Sequence, residues 1–551
     1  MSFLARVPYS LALLATASGL FLIFNLAGAS AAVVGGPTLS AGGRIGVAAA
    51  YSDFALNFTQ AVDHFNSLDA RTFHQRYWEN QRWWKVPTQA QAHPMAILRI
   101  NSFHDDGDWN TSTIVTWAKE LGAIVFDLEP RYAGKSYPLP DVRTEDLRFY
   151  SIEQNVADVV SFISNKSALL PNNTRWVVMG ELFDGAFATW VRAKPRVAFG
   201  VVAVSPHLLA VEGYPDYDLA YQAAIGSKCS KVIHDLLETV SWTLNNETAN
   251  KAYQKQCGSS VTLPNAEFMY VVSTILFGNM DSNYATLCST FEKVKDKDNT
   301  TRLDTLAKFI VAINDEWNME FTDWDFALDT GGNMSDTGAG FRPTYYLKCT
   351  QLGQFETPAK SGYSLVPAER TVDWYLSVCH KLFPNLTADG PNVAQVNTNF
   401  GGRVPEGCNM AFVVSPNDPY STLGPDPVLV PSKTKASGNK IIQIDCASPQ
   451  VGLSLFLPAT SADALCLTKA RAQVFQTLQA WQTQPDTCPT VPSGGGGGGG
   501  EGHGDGDMAL VGVFSAVGGI ILGISITGVI FFYLSRKIIQ RWKASAYAHV
   551  N

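Results

Sequence analysis

Between residues 95 and 205, short apolar runs alternate with amphipathic ones, and this alternation limits the fold more than any other feature. Met95-Ala96-Ile97-Leu98-Arg99-Ile100 reads as a strand, Ile114 to Glu120 as a helix, and Gly122 to Phe126 as a strand. Ser151 to Ile163 carries Ile152, Val156, Val159, Val160 and Ile163 at helical spacing. Trp176 to Met179 then reads as a strand, Ala186 to Ala193 as a helix and Phe199 to Val204 as a strand. Strands separated by helices imply a parallel sheet with helical cover. From about 220 to 330 the pattern is longer and helical, as in Ser230 to Leu244. Strand signals return at Met410–Val414 and Lys440–Ile444, and a last helix is expected from Ala459 to Gln482. The chain therefore reads as an α/β sheet protein with its first part at 33–205, a mainly helical insertion at 206–375 and its second part at 376–490.

The two ends obey different physics. Residues 1–32 carry one charge, Arg6, then an apolar run from Leu11 to Leu26 and the small residues Ala27-Gly28-Ala29-Ser30-Ala31-Ala32. That is the build of a signal peptide cleaved near Ala29 or Ala31, an uncleaved anchor helix being the alternative. From Met508 to Leu534 no charged residue occurs over 27 positions, more than the ~20 residues that cross a bilayer core. Arg536, Lys537, Arg541 and Lys543 follow in the tail 535–551, and basic flanks favour the cytoplasmic side. Tyr533 and Trp542 stand at that boundary. The expectation is one transmembrane helix and a type I protein of the secretory pathway, at the cell surface or a lysosome-like membrane. Ser515, Gly519 and Gly523 lie at four-residue spacing and would let two such helices pair as a homodimer. The segment 491–507 contains seven consecutive glycines, Gly494 to Gly500, whose ordering entropy no side-chain contact offsets, so it reads as a tether.

Export agrees with what lies between. Eight N-x-S/T sequons occur, at Asn57, Asn110, Asn165, Asn172, Asn246, Asn299, Asn333 and Asn385, all ahead of the apolar segment. Nine cysteines also lie there, and an odd number leaves at least one outside intramolecular disulfides. No C-x-x-C pair suggests zinc or redox chemistry, and no cofactor is indicated. His104 with Asp105, Asp106 and Asp108 reads as a polar loop rather than a metal site, since the acids lack helical spacing. The formal net charge of −8 excludes a phosphate-neutralising surplus, hence nucleic acid as partner. The 13 tryptophans, Trp83 and Trp84 among them, are core material before they are ligand platforms.

Trp176-Val177-Val178-Met179-Gly180-Glu181-Leu182-Phe183-Asp184-Gly185-Ala186-Phe187 is a strand, a tight turn and a helix. In α/β-hydrolases the nucleophile stands on such an elbow. The centre here is Leu182, which has no lone pair to attack with.

Ordered motifs extend this reading. Ala61-Val62-Asp63-His64-Phe65 and Thr72-Phe73-His74-Gln75-Arg76-Tyr77-Trp78-Glu79-Asn80 are followed by Glu129-Pro130-Arg131-Tyr132-Ala133-Gly134-Lys135-Ser136 and Leu147 to Asp158. Then come Trp176 to Arg192, Tyr346-Leu347-Lys348-Cys349-Thr350-Gln351-Leu352-Gly353, and Asn417-Asp418-Pro419-Tyr420-Ser421-Thr422-Leu423-Gly424. From about 57 to 455 the chain resembles the serine carboxypeptidase family that contains lysosomal Pro-X carboxypeptidase, dipeptidyl peptidase II and thymus-specific serine protease. The resemblance implies an α/β-hydrolase core with an inserted helical cap domain, and hydrolysis of peptides next to proline. By that resemblance the serine position falls on Leu182, the aspartate on Asp418 and the histidine near Ser448, in Cys446-Ala447-Ser448-Pro449-Gln450. The family's oxyanion-side motif falls on Asn101-Ser102-Phe103-His104 and differs from it. Independently of any alignment, the first histidine after Asp418 is His503, in the glycine tether.

Nucleophile and base are thus both missing, and enzyme activity is left open. The first reading is a membrane-anchored, catalytically silent relative that binds a peptide or protein ligand. The second is a peptidase with a displaced site, using Ser448, or Glu181 and Asp184 at the elbow; turn polarity explains the two acids equally well. The third is a structural surface glycoprotein on a hydrolase fold. Asp418, with no histidine partner, also reads as the cap of its Asn-Asp-Pro turn.

Overall fold

The computed structural model describes residues 55–89, 92–102, 111–193, 197–317, 341–430, 438–444, 455–461, 463–485 and 488. The signal peptide, the tether, the segment 508–534 with Ser515, Gly519 and Gly523, and the tail lie outside them. So do Asn110, Asn333, Ser448, Phe103-His104 and the neighbouring aspartates. Among the described residues no helix is long and apolar enough to cross a membrane.

The strands are β1 (Leu56–Ala61), β2 (Thr72–Asn80), β3 (Met95–Ile100), β4 (Ile124–Leu128), β5 (Arg175–Glu181), β6 (Gly200–Val204), β7 (Val211–Gly213), β8 (Gly353–Phe355), β9 (Met410–Val414) and β10 (Lys440–Gln443). Eight form one sheet in the order β1-β2-β4-β3-β5-β6-β9-β10. β2 is antiparallel to both neighbours, while β4, β3, β5, β6, β9 and β10 run parallel. This order, with the second strand reversed, is that of the α/β-hydrolase sheet. β7 and β8 make a separate parallel pair.

The helices are α1 (Thr113–Leu121), α2 (Thr144–Leu147), α3 (Ile152–Ser167), α4 (Leu182–Ala193), α5 (Asp216–Leu244), α6 (Glu247–Gln256), α7 (Asn265–Glu292), α8 (Asn299–Trp317), α9 (Phe341–Thr350), α10 (Val372–Leu382), α11 (Val393–Phe400) and, last, α12 (Leu465–Thr483). Side chains along a strand alternate between faces. Met95 and Ile97 of β3 accordingly pack with α1 and α12, against Trp117, Val474 and Trp481. Ala96, Leu98 and Ile100 pack on the other face with α3 and α4, against Val159, Phe187 and Trp190. Covered on both faces, the central strands are apolar throughout, as a parallel sheet requires. Trp83 and Trp84 are partly buried against these two cores.

α5 to α11 all fall between β6 and β9, and their core is continuous with the α3–α4 side of the sheet. Disulfides tie them together: Cys229–Cys288 joins α5 to α7, and Cys349–Cys379 joins α9 to α10. Cys408–Cys488 ties the entry of β9 to the chain beyond α12. Among the described residues Cys257 is free and buried. Burial pushes its thiol up to about 12. The six described sequon asparagines, Asn57, Asn165, Asn172, Asn246, Asn299 and Asn385, are all exposed.

Candidate active site

β5 passes into α4 without an intervening loop, and Leu182 is the first helical residue. The helix therefore starts four residues earlier than its apolar pattern suggested, because the elbow itself supplies the first turn. Leu182 has φ 53, the left-handed region that costs an L-residue about 1–2 kcal/mol. Two glycines make the turn possible. A Cβ on Gly180 would lie 2.3 Å from the Asp184 carbonyl oxygen, and one on Gly185 would lie 3.0 Å from the Gly180 oxygen. The strained nucleophile elbow is thus fully built, with a leucine on it.

The acids beside Leu182 are not solvated turn polarity. Asp184 is buried and accepts two hydrogen bonds from Ser102, 2.8 Å from the backbone N–H and 2.6 Å from the hydroxyl. Burial pushes its carboxyl up to about 6, with Asp127 adding to the rise while Ser102 and Arg99 oppose it. Glu181 Oε2 lies 3.7 Å from the Arg99 guanidinium, which also stands 3.8 Å from Asp127. Ser102 follows β3, the loop that in α/β-hydrolases lends one N–H to the oxyanion hole. Of that loop, the Ser102 N–H points to the Asp184 carboxylate.

Asp418 follows β9 and is buried. Its carboxylate accepts the Tyr420 N–H at 2.9 Å and the Ser205 hydroxyl, while burial pushes it up to about 6. Among the described residues no histidine hydrogen-bonds to Asp418. His207 instead packs tilted on Tyr420, ring centres 4.5 Å apart. Among the described residues no group of acids, histidines and cysteines could hold a metal ion.

A second polar cluster escaped the sequence reading. Lys348 of α9 donates to Glu356 at 2.8 Å, and Arg370 approaches the other carboxylate oxygen at 3.4 Å. Tyr420 donates to Glu356 at 3.1 Å and Tyr375 at 3.2 Å. All five are buried. The available signal was a lysine inside the apolar run Tyr345-Tyr346-Leu347-Lys348-Cys349, though its partners are not local.

The motif residues that carried the resemblance do other work. Arg131 clamps Asp158 with two 2.7 Å bonds, and His64 Nε2 meets the same carboxylate at 2.7 Å. Arg76 bonds Glu129 at 2.9 Å, and Ser136 donates to Glu129 at 2.7 Å. These pairs join β2, α3 and the loops around β1 and β4, away from the elbow.

The serine carboxypeptidase S28 profile matches residues 60–472. A Caenorhabditis elegans protein named as a serine protease is 24% identical over 467 residues, covering 77% of this chain and 87% of that protein. Mouse thymus-specific serine protease is 26% identical over 461 residues, covering 77% of this chain and 86% of the relative. Human lysosomal Pro-X carboxypeptidase is 29% identical over 210 residues, covering 35% and 40%. Among solved structures a Pyrobaculum calidifontis esterase covers 78% of this chain and 86% of its own at 9% identity and TM-score 0.31, which leaves the fold resting on the strand order.

Proposed function

The chain belongs to the serine carboxypeptidase S28 family, and on that premise we propose that it is a membrane-anchored, catalytically silent member that holds a peptide or protein ligand. The observation that carries this reading is at the elbow. Leu182 occupies the strained nucleophile position, and the Asp184 carboxylate engages the Ser102 N–H. Acyl transfer needs a nucleophile, a base and donors aimed at the developing oxyanion. A leucine cannot attack, and a carboxylate on the oxyanion side repels the charge that must form there. Among the described residues Asp418 bonds its own turn and Ser205, and no imidazole. Losing one triad member already costs orders of magnitude in rate. Anchoring is supported by the uncharged run 508–534 and its basic flank.

The test is the purified full chain with prolyl dipeptide and tripeptide substrates and a fluorophosphonate probe. The expected result is no turnover and no labelling. Turnover with a labelled serine, Ser448 included, would overturn silence in favour of a displaced site. Exchange of Glu181 and Asp184 for their amides should leave any trace activity unchanged. Membrane association is checked separately, by extraction of the expressed chain with alkaline carbonate or with detergent. Release by carbonate alone would overturn anchoring.

A further inference from the structure

The buried cluster beside Tyr420 carries more positive than negative charge, although Arg370 also donates to the Tyr375 and Ser273 hydroxyls. Lys348 and Arg370 bring two positive charges against the single carboxylate of Glu356, and none of the three reaches solvent. Lys348, Arg370, Tyr375 and Tyr420 all meet that carboxylate. The Lys348 ammonium has three N–H donors, and its only hydrogen bond among the described residues goes to Glu356. Its other neighbours are the ring faces of Phe355 and Tyr375, at 5.8 and 5.7 Å. Burial pushes the Lys348 ammonium down to about 8, so at pH 6 it is charged while sharing one carboxylate with Arg370, and a further anion would offset the cost of holding it there.

A second, independent observation points the same way. His207 is 4% exposed, yet its Nε2 has no hydrogen-bond partner. Buried polar atoms left unpaired are rare, and each asks for an explanation. Burial and the Lys348 charge push this imidazole down to about 3, so it stays neutral and offers one donor. Its ring is fixed against Tyr420, whose hydroxyl reaches Glu356. His207 sits just past β6 and Tyr420 just past β9. These are the carboxyl ends of two parallel strands, where ligands of open α/β sheets bind. The loop holding His207 is pinned there, since Leu208 and Leu209 both donate to the Leu423 carbonyl at 2.9 Å.

We propose that His207 and Lys348, with Tyr420 holding the imidazole ring in place, form a site for the carboxylate of a small ligand, between the ends of β6 and β9 and the helical insertion. One carboxylate balances the single excess positive charge, whereas a phosphate dianion would overshoot it. The inference rests on the reading of this chain as a binder and names the ligand's chemistry: a free carboxylate, on a peptide terminus or on a small organic acid.

The test is thermal unfolding of the purified full chain at pH 6 and constant ionic strength. The probes are propionate, N-acetyl-alanyl-alanine and the amide of that dipeptide, with chloride as the reference anion. A saturable rise in Tm is expected with a carboxylate and none with the amide. Response to propionate alone identifies an organic-acid site, and response to the dipeptide acid alone identifies a peptide terminus. His207→Phe, which keeps a flat ring on Tyr420, should weaken the response at least tenfold, and His207→Gln should restore it. Lys348→Met should abolish it independently. No saturable rise with either acid, an equal rise with the amide, or an undiminished rise in both the Phe and Met variants overturns the proposal. Those results leave catalytic silence untouched, whereas serine labelling by the fluorophosphonate overturns silence whatever the Tm data show.

Discussion

Exchange of Asp184 for asparagine should stabilise this protein at neutral pH, against the usual cost of altering a buried, hydrogen-bonded residue. The Asp184 carboxyl is pushed from 3.8 to about 6, chiefly by burial. The folded state therefore holds that proton more tightly than the unfolded chain does. Its contribution to stability is fully present below about pH 3.8 and is lost as pH rises through about 6. A shift of roughly two units corresponds to about 3 kcal/mol at 1.36 kcal/mol per unit, and the wild type carries that cost at pH 7.5. The asparagine side chain cannot ionise and keeps an oxygen to accept the Ser102 N–H, so the variant escapes most of it. Reversible urea unfolding at pH 7.5 and pH 4.5 is the assay. The variant is expected to gain about 1–3 kcal/mol at pH 7.5 and about a third of that at pH 4.5, where the folded carboxyl is protonated and only the unfolded chain has begun to ionise. A variant that loses stability at pH 7.5, or that differs from wild type equally at both pH values, would refute the reasoning. Either result would mean that the charged form is held by the Ser102 bonds more strongly than burial opposes it.

The other expectations are shorter. Asp418 is pushed up to about 6 by burial in the same way, so Asp418→Asn should flatten a further part of the pH dependence, measured in the same titration. Gly180→Ala forces a Cβ to within 2.3 Å of the Asp184 carbonyl and should cost about 3 kcal/mol or prevent folding. Asp158→Ala strips the buried Arg131 of its bidentate partner and should cost about 3–5 kcal/mol by urea unfolding, with no change in any ligand response. Iodoacetamide should leave Cys257 unmodified in the folded chain, because the thiol is buried and pushed up to about 12, and should alkylate it after unfolding without reductant, read by peptide mass spectrometry.

The parallel half of the sheet was legible for a physical reason. Strands covered on both faces need continuous apolar runs, so β3, β5, β6 and β9 stand out as Met95–Ile100, Trp176–Met179, Phe199–Val204 and Met410–Val414. β1 and β2 went unread because each mixes polar and apolar residues, as in Thr72–Asn80, where alternate positions are buried. The elbow was legible as a glycine-framed turn, but the role of Asp184 was not. Whether an acid at a turn faces water or caps a loop depends on Ser102, 82 residues earlier. The His207–Tyr420–Glu356–Lys348 cluster is harder still. Its members come from the ends of β6, β8 and β9 and from α9, and no local spacing brings them together.

Several of the residues that make this chain resemble its family belong to the scaffold and not to the elbow. Arg131, Asp158 and the half-buried His64 form one knot, and the half-buried Arg76 with buried Glu129 and Ser136 forms another. Removing one partner of such a pair leaves an uncompensated charge, so single substitutions there are costly whether or not the chain cleaves a bond. Positions 182 and 184 carry no such obligation. The elbow needs glycines at 180 and 185 to let helix and strand approach, but Leu182 tolerates φ 53 once its neighbours hold it there. A sequence profile weighted by the scaffold will match with or without the nucleophile. The activity has to be argued from the site, where Leu182 stands at the elbow and Asp184 holds the Ser102 N–H, the two features on which the proposed silence rests.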